Sequence, residues 1–218
     1  MMTQDDGADG PDRDKGPDFW DAKFADKDYL YGTRPNAWVV DQAYRLNPAS
    51  RVLCVADGEG RNGVWLAGQG HRVTSVDFSP RAIQKATALA LQRGVALKTV
   101  CADLLTWDWP AEGFDAVVLA FFHLPASGRQ RVLAGIGRTL RPGGVLIGEG
   151  FSIHQIGRPS GGPRDLALLY DPDVLADELA AAGLTATHMS VEDVDLAEGT
   201  GHNGAASVTR ILAHRPDA

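Results

Sequence analysis

The sequence predicts an α/β fold: a mostly parallel sheet with helices on both faces, closed by an antiparallel pair of strands. Two observations carry this. From residue 51 onward, short apolar runs alternate with amphipathic stretches that open on capping residues and close on glycine. After the last such stretch, two strand-like runs, 184–194 and 206–215, follow one another with no helix between them, the pattern of a hairpin.

The elements follow in order. Residues 1–18 hold six aspartates against Arg13 and Lys15, with Gly and Pro between, and are expected to form a disordered acidic tail. The remainder, 19–218, is expected to be a single domain, with 19–46 as its N-terminal helical segment. In that segment FWDAKF and PNAWVVDQAYRL are short helical candidates, the second with Pro35 at its first helical position. The aromatic, turn-rich YLYGTRPN lies between them. RVLCVA (51–56) is continuously apolar, as a strand buried on both faces must be. Asp57–Gly63 interrupts it, and the helix after it ends at Gly70. HRVTSVD (71–77) is a second strand. Ser79 and Pro80 then supply a cap and a first-turn proline for a helix with Ile83, Ala86, Ala90 and Leu91 on one stripe and Gly94 at its end. Strands are predicted over 96–103 and 114–122, followed by a helix that aligns Val132, Leu133, Ile136 and Leu140. Arg141–Gly144 turns the chain into VLIGEG, and Asp171-Pro172 starts a helix ending at Gly183. Five strands plus the hairpin make seven.

Composition narrows the function classes. The 218 residues carry a net charge of −7, of which residues 1–18 contribute −4. No broad basic face for nucleic acid is expected. No run reaches the roughly 20 apolar residues of a membrane helix, and the acidic N-terminus does not resemble a signal or transit peptide. Two cysteines, Cys54 and Cys101, are too few for a disulfide framework or a Cys-rich metal site. Both are expected as buried thiols in a cytoplasmic protein, with no metal, no membrane and no nucleic-acid partner.

In open α/β sheets, ligands lie beyond the carboxyl ends of the strands. At the first end, Asp57-Gly58-Glu59-Gly60-Arg61-Asn62-Gly63 allows a sharp turn and close approach to a helix N-terminus. Read literally, it also matches the dinucleotide pattern Gly-x-Gly-x-x-Gly. Asp77 ends the second strand, where a carboxylate can accept from two ribose hydroxyls, with Phe78 beside it as a possible adenine face. Asp103 and Leu104 end the third strand, a polar group and an apolar one that suit the amino group and ring of adenine. Ala120, Phe121, Phe122 and His123 end the fourth, where His123 is a candidate to position a substrate or take its proton.

These segments (VLCVADGEGRNG, VTSVDFSP, CADLLTWDW, FDAVVLAFFHL and LRPGGVLI, in order) resemble class I S-adenosylmethionine-dependent methyltransferases over roughly residues 19–215. YLYGTRPN and the SGGP stretch at 160–163 look like the tellurite-resistance and thiopurine methyltransferase-like group. The resemblance implies a Rossmann-like, seven-stranded, mostly parallel sheet with an antiparallel last strand, S-adenosyl-L-methionine as cofactor and a small-molecule acceptor. It implies that Gly58 and Gly60 hold the methionine portion, Asp77 the ribose, and Asp103 and Leu104 flank the adenine, with Ala56, Asp57, Asn62 and Phe78 also among the cofactor-binding residues. Ala120 and Phe121 would lie at the sulfur end, with Tyr31 closing the site and sharing the catalytic role with His123. Tyr29, Arg34, Phe122, His123 and Arg164 would meet the acceptor. Tyr29–Asn36 and Phe151–Arg164 are the expected lid, where Arg34, Arg158 and Arg164 would offer positive charge to an anion.

The sequence departs from the family at Cys54, where an acidic residue is usual, and at Ala56, where glycine is usual. Asp57 or Glu59 would then meet the cofactor's ammonium group. Two other readings stay open: an NAD(P)-dependent oxidoreductase, from the literal glycine pattern, and a non-catalytic S-adenosylmethionine-binding regulator. The acceptor (a thiol, a chalcogen oxyanion or similar) and a monomeric or homodimeric state are not settled by the residues.

Overall fold

A computed structural model describes residues 16–217. The expected tail falls largely outside this range; its last two residues, Pro17 and Asp18, begin a helix. The helices are α1 (Pro17–Lys23), α2 (Ala37–Gln42), α3 (Arg61–Gly68), α4 (Pro80–Arg93), α5 (Ala126–Thr139) and α6 (Pro172–Ala181). The strands are β1 (Arg51–Val55), β2 (Arg72–Asp77), β3 (Lys98–Cys101), β4 (Phe114–Ala120), β5 (Leu140–Phe151), β6 (Thr185–Glu198) and β7 (His202–His214). They form one sheet in the order β3-β2-β1-β4-β5-β7-β6. β1 to β5 run parallel, and β7 is antiparallel to both β5 and β6. The order reverses between β1 and β4, so the crevice for a ligand opens at their carboxyl ends.

Alternation along the central strands divides the core in two. Leu53, Val55, Val117, Leu119 and Leu146 pack with α5 and α6 residues Leu133, Ile136, Leu175 and Leu179 on one face. Val52, Cys54, Ala116, Val118 and Ile147 pack with Trp38 of α2 and Leu66 of α3 on the other. Burial of Cys54 at 1% exposure pushes its thiol well above the ordinary value, so it serves as a small apolar filler. Cys101 is exposed, against expectation, because β3 is a short edge strand.

The helix starts follow cap chemistry. Ser79 accepts from the Ala82 N–H and Asp171 from the Asp173 N–H, as the sequence predicts. At α2 the predicted start shifts: Asn36, not Pro35, is the boundary, because its side chain accepts from the Val39 N–H at 3.1 Å. The β6–β7 hairpin is longer than predicted, its tip extending over the N-terminal segment.

Candidate functional site

Three strand ends and the N-terminal segment converge on the crevice. After β1 the chain turns through Ala56, Gly58 and Gly60, all at positive φ. At Gly60, φ is 85° and a Cβ would stand 2.6 Å from the Ala86 side chain, so glycine is required where α3 meets α4. Asp77 pins this loop: its carboxylate accepts from the Gly58 N–H at 2.9 Å and from the Ser79 N–H at 2.9 Å. Asp57 accepts from Ser75 Oγ at 2.8 Å and from the Gly63 N–H at 3.2 Å through one oxygen, Oδ2. Burial lifts its carboxyl to about 7, against the opposing pull of those two bonds. Burial also raises Asp77, though its backbone donors hold it down.

The loop leaves charged atoms unsatisfied. Asp57 Oδ1, Glu59 Oε2 and Arg61 Nη1 are buried with no hydrogen-bond partner among the described residues. Lys85 makes an ion contact with Glu59 Oε1. Arg61 Nη2 is held by Glu198 Oε2 at 2.8 Å. Buried native polar groups are paired in the great majority of cases; three orphans at alternate positions, two in the loop and one at the start of α3, point to a ligand of mixed charge. Arg61 was not among the sequence candidates. Its signal was present: a cation in the first turn of a helix opposes the helix dipole, and here it is buried.

The N-terminal segment covers this loop. The Phe24 ring lies 3.5 Å from where a Gly58 Cβ would be. Asp21 of α1 accepts from Ser79 Oγ at 2.7 Å and the Arg81 N–H at 2.9 Å, docking α1 on the start of α4. Lys85 donates to the Asp26 and Asp28 carbonyls at 2.9 and 2.6 Å. Tyr31 lies inside, 6.5 Å from the Phe24 ring and 4.4 Å from that of His202. Burial raises its hydroxyl to about 12, so it is a neutral donor rather than a base. Phe121 sits at φ 53° directly after β4, its ring 4.3 Å from His202 and 4.8 Å from Phe151. Such a backbone angle in a bulky residue is strain held by its surroundings. Tyr31, Asp57, Gly58, Asp77 and Phe121 are thus gathered by these contacts at the carboxyl ends of β1, β2 and β4, where Gly60, Ala56, Phe78 and Ala120 adjoin them along the chain.

The remaining candidates are held by contacts of their own; Asn62, Asp103 and Leu104 stay at the same carboxyl edge, Asn62 beside Arg61 and the Ala102 N–H donating to the Asp77 carbonyl at 3.0 Å. His123 has both ring nitrogens engaged: Nδ1 with the Leu168 carbonyl at 2.9 Å and Nε2 as acceptor of the Phe151 N–H at 3.2 Å. Desolvation drops it to about 4. It has no free lone pair for a proton, so the expected base is a structural tie between β4, β5 and the 166–168 turn. Tyr29 donates to the Lys85 carbonyl at 3.2 Å and packs beside Val64 and Leu89, which fixes it to α4 rather than to an acceptor. Asn62 accepts from the Asn36 N–H at 2.9 Å, joining α3 to α2. Leu104 is buried in the core with Trp109, whose ring N–H it receives at 3.2 Å. Asp103 is exposed and accepts from the Leu105 N–H within its own turn. Phe122 packs against the α5–α6 core, and its carbonyl receives the Tyr170 hydroxyl. Arg34 is exposed and donates to the Ala197 carbonyl at 3.0 Å. Arg164 is exposed on the loop before Leu166–Leu168.

The 151–164 stretch is anchored rather than free to open. Gln155 bridges Ser160 Oγ and the Ser207 N–H, and Arg158 bonds the Ala206 carbonyl and Asp193. Burial of Phe151, Ser152, Gln155 and Ser160 follows from packing on β7.

Residues 52–144 match the family model described as a methyltransferase domain. The fold is that of the class I S-adenosylmethionine-dependent methyltransferases. Rat glycine N-methyltransferase is 29% identical over 201 residues, 83% of this chain and 68% of that protein. The chain covers 37% and 50% of the length of two of the first curated relatives it matches. A structure described as the conversion of a disulfide bond into a thioacetal group during echinomycin biosynthesis has a TM-score of 0.75 at 22% identity, covering 92% of each chain. TehB from Haemophilus influenzae has a TM-score of 0.66 at 18% identity, covering 91% of this chain and 66% of that one. Within the methyltransferase fold, the orphaned loop atoms fit an amino-acid end: Arg61 Nη1 suits a carboxylate, and Asp57 Oδ1 and Glu59 Oε2 suit an ammonium. No helix among the described residues is long and apolar enough to cross a membrane.

Proposed function

We propose that the chain is a methyltransferase that moves a methyl group from S-adenosyl-L-methionine to a small-molecule acceptor, within the tellurite-resistance and thiopurine methyltransferase-like group. The observation that carries this is the set of buried, unpartnered charged atoms at the end of β1, next to Asp77, in a methyltransferase fold. A sulfur acceptor is in keeping with the Pseudomonas putida thiopurine S-methyltransferase, 38% identical over 73 residues, 31% of this chain and 33% of that protein. A cytoplasmic location belongs to the same proposal.

The bound cofactor would supply a methyl on a sulfonium centre, ready for in-line displacement. The chain's own part is positioning. Asp77 holds the loop and keeps a lone pair on each oxygen for ribose hydroxyls. Arg61, Asp57 and Glu59 grip the amino-acid end. Phe24 and Tyr31 keep water out from above. Phe121, Phe151 and His202 shape the acceptor side.

The dinucleotide reading is less favoured, since the matching family model is a methyltransferase domain and relatives such as rat glycine N-methyltransferase are methyltransferases. Calorimetry with S-adenosylmethionine, S-adenosylhomocysteine and NADH tests the proposal. The first two are expected to bind in the micromolar range and NADH not at all; the reverse order of affinities would sink it. Binding without product from a panel of thiols, amines and oxyanions would leave the regulatory reading in its place.

A further inference from the structure

His202 begins β7 at the hairpin tip and was no part of the sequence reading. Its ring is caged by three aromatic side chains at centroid distances of 4.4 Å (Tyr31), 4.3 Å (Phe121) and 5.1 Å (Phe151). Nδ1 lies 3.3 Å from Glu198 Oε2. Nε2 has no hydrogen bond to the described residues, in a side chain 6% exposed.

The carboxylate beside it is fixed. Glu198 receives Arg61 Nη2 at 2.8 Å on one oxygen and Asn36 Nδ2 at 3.1 Å on the other. Its hydrogen bond with His202 and the Arg61 charge, set against burial, hold it down at about 2, so it is an anion throughout the working range. Asn36 is steadied in turn by Glu149 at 2.6 Å. The tip is clamped over the crevice: the Gly201 N–H donates to the Leu30 carbonyl at 2.9 Å, and a Cβ at 201 would overlap the Tyr31 ring.

Resting on the methyl-transfer reading above, we propose that His202 is the general base for the acceptor, that Glu198 positions it, and that the acceptor is therefore a neutral protic nucleophile rather than a pre-formed anion. An anionic carboxylate at Nδ1 selects the tautomer with Nδ1–H, which leaves the Nε2 lone pair free. The acceptor's proton passes to Nε2 as its electron pair forms the new bond to the methyl carbon. The carbon–sulfur bond breaks in the same step, its pair staying on sulfur as a neutral thioether. The imidazolium formed faces Glu198 and then loses its proton to water. Burial lowers the proton affinity of His202, Glu198 of β6 raises it, and Arg61 of α3 lowers it. Tyr31 from the N-terminal segment and His123 after β4 complete its titratable neighbours. Of the sequence's arginine candidates, Arg34 is tied to Ala197 of β6 and Arg158 to Ala206 of β7 and Asp193 of β6, so neither supplies an anion site at the cage.

The test uses the whole protein. First, long-range nitrogen–proton NMR of the imidazoles, with and without S-adenosylhomocysteine, should show His202 as the Nδ1–H tautomer with an unprotonated Nε2 at pH 7.5. A protonated Nε2 overturns the proposal whether or not an acceptor is found. Second, S-adenosylhomocysteine formation is followed with a panel of alkyl thiols, amines and hydroxyls. His202→Gln should lower turnover by about 10²–10⁴-fold, with the dissociation constant for S-adenosylhomocysteine moving less than threefold. It should spare an acceptor already ionised, such as 2-nitro-5-thiobenzoate. More than a tenth of wild-type turnover on the protic acceptors overturns the proposal. Third, Glu198→Gln should move the acid limb of the pH–rate profile to lower pH, and Glu198→Asp should move it back part of the way; an unmoved limb removes Glu198 from the positioning role. Failure of wild-type protein to bind S-adenosylhomocysteine would instead strike the methyl-transfer reading, leaving the tautomer to decide for His202.

Discussion

The two sides of the crevice handle charge in opposite ways. At the glycine loop, Asp57, Glu59 and Arg61 each keep a buried atom without a hydrogen-bond partner among the described residues. On the hairpin side, Glu149 is met by Arg210 at 2.8 Å and Asn36 at 2.6 Å, and Glu198 by Arg61, Asn36 and His202. Unpaired buried charge costs stability unless something binds there. Paired buried charge fixes geometry, and losing one partner is what costs. The loop side is therefore built to receive a ligand, and the hairpin side to hold a shape. Substitutions on the two sides should separate accordingly, one set changing affinity and the other stability.

The largest expected effect is on the hairpin side. Glu149→Leu removes a carboxylate at 2% exposure, leaves the Asn36 amide N–H group to Glu198 alone and strands one arm of Arg210. Arg210 keeps Glu192, so the cost should fall at the low end for a broken buried pair, about 3 kcal/mol. Chemical denaturation measures it. An unchanged midpoint would mean that the network is ornamental and that the two sides do not differ.

Next comes Arg61→Gln on the loop side. Loss of a charged hydrogen bond to a ligand carboxylate should weaken S-adenosylhomocysteine by about 1.5–3 kcal/mol. The affinity for 5′-methylthioadenosine, which lacks the amino-acid end, should hold. Equal losses for both compounds would place Arg61 in the loop's support instead.

How much of this was legible follows from where each signal lives. The sheet was readable because buried parallel strands need unbroken apolar runs, and β1 and β4 have them. The glycine loop and Asp77 were readable because an apolar run broken by glycines, and one closed by an acidic residue ahead of a Ser-Pro helix start, are local features. His123 was located correctly at the end of β4 but not its orientation, which depends on Leu168 and Phe151, residues far along the chain. His202 sits in GTGHNG and reads as an ordinary turn residue. Only the pairing of β7 with β6 and β5 brings it to Tyr31 and Phe121.

A smaller effect concerns protons. The free protein should hold a proton on Asp57 below pH about 7, because burial raises that carboxyl. A cationic ligand group against Oδ1 favours the carboxylate, so binding releases that proton. Affinity for S-adenosylhomocysteine should therefore fall as pH drops below about 7, and the calorimetric heat should scale with the buffer's ionisation enthalpy. Asp57→Asn should abolish both dependences. In stability the sign runs the other way: the folded carboxyl titrates above its unfolded value of 3.8, so unliganded wild type should lose stability between pH about 4 and 7, and Asp57→Asn should not.

The smallest effect belongs to Ala56, where the chain departs from the glycine usual in the family it resembles. Its φ of 48° places a Cβ-bearing residue in the left-handed region. That strain costs about 1 kcal/mol, and glycine would relieve it. Glycine also enlarges the freedom lost on folding, by about 0.5–1 kcal/mol relative to alanine. The two terms nearly cancel, so Ala56→Gly should leave the melting midpoint and the S-adenosylhomocysteine affinity close to wild type. Ala56→Val should behave differently, because a β-branched side chain at positive φ is a genuine outlier. It should lower both, since the same turn carries Asp57 and Gly58 into the crevice. A valine variant as stable and as tight as wild type would show that the loop side adjusts freely, and that its orphaned charges are not held in place for a ligand.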